Sequence, residues 1–298
     1  MKITEDKLIL EEKLPGTIYF DFNFLKLKDG HSAIVYLRED KNCDTILGIY
    51  DLEKREVIRE VLALACGKRP YKSILAIDSE NRIYLNGENG EMLIYSSDLL
   101  LLETYNVELE KYDIDGKEFS LCFVKEEILF AREANKIIIL DKRSGQVIDI
   151  IKIDKSEYSQ FLDNLLIQDI FDFGDDSILL YCSESEHASE TSNIKVLLIY
   201  NITRRRIDKT LYYLKTTESY TEELYAAYPH FFALNKNTLS VINVLKNEMI
   251  KLVFEQSFNA FSMKSRNNNK ECFFYILCPD GSDQSKIYSF NLSIINDL

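Results

Sequence analysis

An all-β chain of about six four-stranded repeats is what the sequence predicts, and three observations predict it. One phrase recurs: an apolar pair closing a strand-like run, a small polar residue, a charged turn, then another apolar run. It reads Ile49-Tyr50-Asp51 before LEKREVIREV, Ile94-Tyr95-Ser96 before SDLLLLETY, Ile139-Leu140-Asp141 before KRSGQVIDII, Ile199-Tyr200-Asn201 before ITRRRIDKTL, Val241-Ile242-Asn243 before VLKNEMIKL, and Ser289-Phe290-Asn291 near the C-terminus. The polar positions 51, 96, 141, 201, 243 and 291 are spaced by 45, 45, 60, 42 and 48 residues, and four strands of ordinary length with their turns need roughly 40–45. The apolar runs are nearly continuous rather than strictly alternating, as expected of strands covered on both faces by neighbouring sheets.

Sheets repeated in this way close into a β-propeller, here one domain over residues 1–298, and its blades are read in order. The first (17–64) holds TIYFDFNFLKL, AIVYLRED, DTILGIYD and EVIREVLAL; the second (71–109) SILAIDS, RIYLNGE, EMLIYSS and LLLETYNVEL. The third (117–153) is EFSLCFV, EEILFARE, NKIIILDK and QVIDIIKI, and the fourth (168–215) DIFDFGD, SILLYCS, IKVLLIYN and IDKTLYYLK. LYAAYP, HFFALNK, TLSVINV and EMIKLVFEQ make the fifth (223–256), and AFSMKSR, ECFFYILC and KIYSFNL the sixth (258–298), which lacks a strand. Residues 7–14 are a spare strand, so the N-terminus is expected to close the last blade and remove an open edge. Seven blades is the alternative architecture. With only 10 Gly and 4 Pro, many turns fall to Asn, Asp, Lys and Ser, whose side chains bond the local backbone. The 60-residue interval puts extra chain into the fourth blade, at 154–163 and 183–193.

The phrase Ile139-Leu140-Asp141-Lys142-Arg143-Ser144-Gly145-Gln146-Val147 resembles the strand-turn-strand element of quinoprotein-like and WD-like propellers. Quinoprotein repeats carry a Trp soon after the Gly and WD repeats a Trp-Asp pair, whereas this chain has no Trp. The resemblance therefore implies the general propeller architecture and no quinone cofactor.

No catalytic, cofactor or metal motif stands out. His31, His187 and His230 are far apart and no GxSxG turn accompanies them. GxxxxGK and GxGxxG are absent. Asp172-Phe173-Gly174-Asp175-Asp176 gathers carboxylates of a kind that bind Ca²⁺, but falls short of an EF-hand loop and reads as a solvated turn. Six cysteines without a CxxC indicate neither zinc nor a disulfide framework, and Cys272 and Cys278 could pair only if neighbouring geometry allows it. Arg204-Arg205-Arg206 with Lys209 reads as a charged hairpin turn. A net charge of −13 disfavours nucleic acid, whose binding depends on cationic groups that release counterions. No apolar run approaches a membrane span and no leader is visible, so the expectation is a cytoplasmic protein, or an extracytoplasmic one if a leader has been removed.

The expected function is that of a non-enzymatic scaffold whose loop face binds a protein or peptide. Arg and Tyr are enriched at interface hot spots, and Arg69, Tyr71, Tyr112, Tyr158, Phe161 and Tyr220 fall in connections between blades. The alternatives are a Ca²⁺-dependent hydrolase of lactonase or phosphoesterase type and a carbohydrate-binding propeller.

Overall fold

The computed structural model describes residues 2–3, 9–15, 19–68, 75–153, 165–184, 194–214, 223–255, 258, 262–268, 271–282 and 284–291. Two strands open the chain, β1 (Lys2–Ile3) and β2 (Ile9–Pro15). Blade 1 follows as β3 (Tyr19–Lys26), β4 (Ser32–Glu39), β5 (Thr45–Asp51) and β6 (Glu56–Leu64). Blade 2 is β7 (Ala76–Ile77), β8 (Ile83–Asn86), β9 (Glu91–Tyr95) and β10 (Leu101–Asn106). Blade 3 is β11 (Ser120–Lys125), β12 (Ile128–Glu133), β13 (Lys136–Asp141) and β14 (Val147–Lys152). Blade 4 is β15 (Leu165–Asp172), β16 (Ser177–Glu184), β17 (Ile194–Asn201) and β18 (Arg206–Leu214). Blade 5 is β19 (Glu223–Ala227), β20 (His230–Asn235), β21 (Thr238–Asn243) and β22 (Glu248–Phe254). Blade 6 takes β23 (Ser262–Asn268), β24 (Glu271–Ser282) and β25 (Gln284–Asn291) from the C-terminus and β2 from the N-terminus.

Within every blade the strands run antiparallel in chain order, and the first strand of each blade touches the first strand of the next, from β3 round to β23 and back to β3. The ring is thus a closed six-bladed propeller with the first strands innermost. As the spare strand predicted, β2 pairs antiparallel with β25, from Ile9 opposite Ser289 to Pro15 opposite Gln284. Leu14 is fully buried there, and Glu12 accepts the Tyr50 hydroxyl of blade 1 at 2.7 Å. The parallel pairing of β1 with β22, Lys2 opposite Val253 and Ile3 opposite Phe254, adds a fifth strand to blade 5. A two-residue strand has no period to read, so this pairing was not predictable.

Packing explains the loose alternation. Along β13, Ile137 and Ile139 enter the apolar core shared with blade 4, while Ile138 and Leu140 enter the one shared with blade 2. On β17, Val196, Leu198 and Tyr200 face blade 3, and Leu197 and Ile199 face blade 5. The same arrangement fills each gap of the ring, and the core between blades 6 and 1 joins Leu14, Tyr19, Phe22 and Tyr36 to Leu277 and Ile287. Each fully buried Leu, Ile or Phe contributes roughly 1.5–3 kcal/mol of transfer free energy.

The recurring polar residue is a turn device. At the end of the third strand, Asp51 Oδ1 accepts the N–H groups of Glu53 and Lys54 at 2.8 and 2.9 Å. Ser96 Oγ does the same for Asp98 and Leu100, Asp141 for Arg143 and Ser144, Asn201 for Arg204 and Asn243 for Lys246. These are Asx and ST turns, so the repeat signature reports hairpin geometry and not chemistry.

Cys272 and Cys278 lie six residues apart on one strand, β24, which separates them by about 20 Å and prevents a bridge. Cys278 is buried, and its thiol donates to the Lys286 carbonyl at 3.7 Å. The inserted stretches 154–163 and 183–193 lie outside the described residues, except Ser183 and Glu184 at the end of β16.

Candidate functional site

Because the strands run up and down, the turns joining first to second and third to fourth strands share one face of the ring. The second-to-third turns and the connections between blades share the other. Of the six candidate partner residues, Tyr112 is on this second face. Tyr112 is described; Arg69, Tyr71, Tyr158, Phe161 and Tyr220 lie outside the described residues. Tyr112 ends a short 3₁₀ turn, Leu109–Tyr112, in the connection from blade 2 to blade 3. Its ring packs against the core between those blades and carries the Lys111 ammonium 5.5 Å above its centroid. The turn closes on Asp113 in the left-handed region (φ 54°), and the Asp113 carbonyl accepts Lys136 Nζ. Tyr112 is thus half wall and half surface.

The opposite face holds ionic networks between blades. Asp78, at the first turn of blade 2, accepts the N–H groups of Glu80 and Arg82 through Oδ1, and Arg82 Nε (2.9 Å) and the Tyr84 hydroxyl (3.0 Å) through Oδ2. Lys142 of blade 3, only 2% exposed, lies 3.4 Å from the same Oδ2 and 3.3 Å from Glu127, which also pairs with Arg143. Burial alone would raise the Asp78 carboxyl, but the Arg82 and Tyr84 bonds hold it below the ordinary carboxylate range. On blade 1, His31 stands among Asp51, Asp29 and Glu53 at 3.3–3.6 Å. The Asp78–Lys142 pair ties blade 2 to blade 3, while the His31 cluster ties together two turns of blade 1.

Three of the four cations of the basic spot at 204–209 are committed to the protein itself. Arg205 pairs with Asp149, Arg206 with Asp208 at 2.9 Å, and Lys209 Nζ donates to the Val244 and Leu245 carbonyls. In the acidic turn, Asp172 accepts Lys125 of blade 3 at 2.8 Å and Asp176 accepts the Thr203 hydroxyl at 3.2 Å. These carboxylates therefore serve as turn and interblade ties.

On the innermost strands, Asp21 is buried and saturated. Its carboxylate accepts Phe22 N–H (2.9 Å), Ser262 Oγ–H (2.5 Å), Leu75 N–H (2.9 Å) and Lys264 Nζ (3.1 Å), drawing on blades 6, 1 and the start of blade 2. Among the described residues, no group of three or more His, Cys, Asp or Glu side chains is placed to hold a metal ion. No described helix is long and apolar enough to cross a membrane.

The rim carries what the sequence reading passed over. Outer strands expose Ile58 and Leu62 on β6, Ile148 on β14, and Met249 and Val253 on β22. Blade 2 stands out, with Leu100, Leu101 and Leu102 consecutive and 51, 54 and 49% exposed at the start of β10. Among the described residues β10 pairs with β9 alone, so its far edge presents backbone N–H and C=O groups without strand partners. The run of four leucines from Leu99 was the available signal, and of the four Leu99 alone is buried.

Fold and surface together define a six-bladed β-propeller. Comparison with models of known protein families and with curated proteins returns no match.

Proposed function

We propose that this chain is a protein- or peptide-binding propeller that holds an extended segment of its partner along the outer edge of blade 2. The observation that carries the reading is the exposed Leu100-Leu101-Leu102 run that leads into the edge strand β10. Three adjacent, half-exposed leucines on an open edge differ from the single apolar residues any surface carries. Adding a strand satisfies the edge backbone and covers such side chains, which is how sheet edges bind peptides. The fold itself supplies a precedent, since β1 lies on the outer strand of blade 5. With Glu103 on β10 and a chain of net charge −13, the fitting partner alternates apolar residues and carries basic flanks.

The loop face is a second reading, favoured by the Lys111–Tyr112 pair exposed between blades 2 and 3. One experiment separates them: selection of binders from a displayed library of extended peptides, retested on L100K/L102K and on R69A/Y71A proteins. Rim binding predicts peptides that lose affinity at least tenfold on L100K/L102K and protect β10 amides from hydrogen exchange. Peptides indifferent to L100K/L102K but lost on R69A/Y71A would move the site to the loop face.

A further inference from the structure

Two exposed cysteines far apart in sequence meet on blade 1. Cys43 lies in the β4–β5 hairpin turn, a rigid element in which the Asp40 carboxylate accepts the N–H groups of Asn42 and Asp44 at 2.8 and 3.0 Å. The same turn donates Cys43 N–H to the Asp40 carbonyl at 3.1 Å. Cys66 follows β6, where the chain leaves for blade 2. Its N–H donates to the Asp44 carboxylate at 2.7 Å, which anchors it beside the turn. The β5–β6 ladder ends with Thr45 opposite Leu64, and just beyond it the two turns bring the Cys66 thiol within hydrogen-bonding reach of the Cys43 thiol. Sulfurs in such contact need only a small adjustment of the two side chains to bond. Both thiols are free and exposed, whereas Cys122, Cys182 and Cys278 are buried.

We infer that Cys43 and Cys66 are a redox-responsive dithiol that closes into an intramolecular disulfide when the protein meets a small-molecule disulfide such as oxidised glutathione. In the first step the Cys66 thiolate attacks one sulfur of the oxidant, breaking its S–S bond and releasing one reduced thiol. In the second, the Cys43 thiolate attacks the Cys66 sulfur of the mixed disulfide, forming the Cys43–Cys66 bond and expelling the second reduced thiol. The two protein thiols lose two protons and two electrons, and the oxidant disulfide gains them as two thiols. The order follows from the surroundings of Cys43: the Glu39 carboxylate, then the neighbouring Cys66 sulfur, push its thiol up and make it the slower nucleophile. The bond would pin the start of the blade 1 to blade 2 connection to the β4–β5 turn.

The test uses the native full chain with oxidised glutathione at neutral pH, followed by intact mass and peptide mapping. The expected result is loss of two hydrogens without a glutathione adduct, one cross-link between the Cys43 and Cys66 peptides, and a higher melting temperature that dithiothreitol reverses. Cys43→Ser should instead trap a stable glutathione adduct on Cys66, forming faster than the adduct on Cys43 in Cys66→Ser. A wild-type protein that keeps both thiols, retains glutathione on them, or cross-links through another cysteine would overturn the inference. Serine at two exposed sites leaves the fold intact, which circular dichroism of both variants verifies.

Discussion

The carboxylate of Asp21 accepts the hydroxyl of Ser262 at 2.5 Å, joining the innermost strands of the first and last blades across 241 residues of sequence. Lys264 and the Leu75 N–H complete the same acceptor, so one side chain touches three consecutive parts of the ring. Asp21→Ala leaves a buried N–H and a largely buried ammonium without their partner. The expected loss is about 3 kcal/mol, the range for breaking a buried charged network. Asp21→Asn keeps an acceptor and should lose less. Urea unfolding measures both, and an Asp21→Ala protein as stable as wild type would remove this residue from ring closure.

The extent to which such features are legible in sequence follows from their range. The Asx-turn residues Asp51, Asp141, Asn201 and Asn243 act within four positions of themselves, so their spacing marked the blades directly. The two-faced burial of β13 is likewise written in consecutive isoleucines. Asp21 with Ser262 and Asp78 with Lys142 are different: each pairs residues on separate blades, and only the closed ring decides which meet. Cys43 and Cys66 meet only because the folded turn lets the Asp44 carboxylate hold the Cys66 N–H. Of the loop-face residues expected to bind a partner, Tyr112 is placed, half in the wall of its connection.

Closure by the N-terminus predicts a second outcome. Removing residues 1–15 deletes β2, exposes the edge of β25 and uncovers the core that Leu14 seals between blades 6 and 1. Leu14 alone accounts for roughly 1.5–3 kcal/mol of burial, and the Tyr50–Glu12 bond is lost with it. The melting temperature should fall and the truncated protein should self-associate through the open edge. An unchanged melting transition in a monodisperse sample would contradict closure by β2.

Tyr36 reaches Glu60 at 2.7 Å by lying across Gly48, the residue opposite it on β5. A Cβ at position 48 would stand 2.3 Å from the Tyr36 ring. Gly48→Ala should therefore displace the ring from the Arg38–Glu60 pair and destabilise blade 1 by about 1–3 kcal/mol, the usual effect of overpacking. Tyr36→Phe in the Gly48→Ala background tests the cause: if the clash is the ring itself, removing the hydroxyl restores little.

Acid should unfold the ring in two stages. Burial, with the Lys246 charge, lowers the His230 pKa. Protons then favour the unfolded state as pH falls below the ordinary histidine value of about 6.5 and on through the lowered one. The Lys54 N–H lowers Asp51, the Ser144 hydroxyl lowers Asp141, and the Arg38 guanidinium lowers Glu60. Their contribution is complete above the ordinary carboxylate range, about 4, and disappears as pH falls through the depressed values. Urea midpoints from pH 8 to 3 should show a shallow decline near 6.5 and a steeper one below about 4.5. His230→Phe should abolish only the first, and Ser144→Ala should flatten the second; a midpoint independent of pH above 3 would refute both.

Gly145 ends the third-to-fourth strand turn of blade 3 with φ of 67°, and a Cβ there would lie 2.2 Å from the Tyr105 ring of blade 2. The position is doubly closed to side chains, by backbone conformation and by a neighbouring blade. Glu126, in the tight turn between β11 and β12, has φ of 53° and is exposed, so only the first restriction applies. A left-handed residue with a Cβ carries about 1–2 kcal/mol of strain, and glycine regains part of that in backbone entropy. Glu126→Gly should therefore stabilise the protein by about 0.5 kcal/mol. Gly145→Ala should destabilise it by about 2 kcal/mol or more, since strain and steric conflict add. Paired unfolding curves decide the matter: if Gly145→Ala cost no more than about 0.5 kcal/mol, the net of left-handed strain and the opposing backbone entropy, the Tyr105 contact would not constrain this turn.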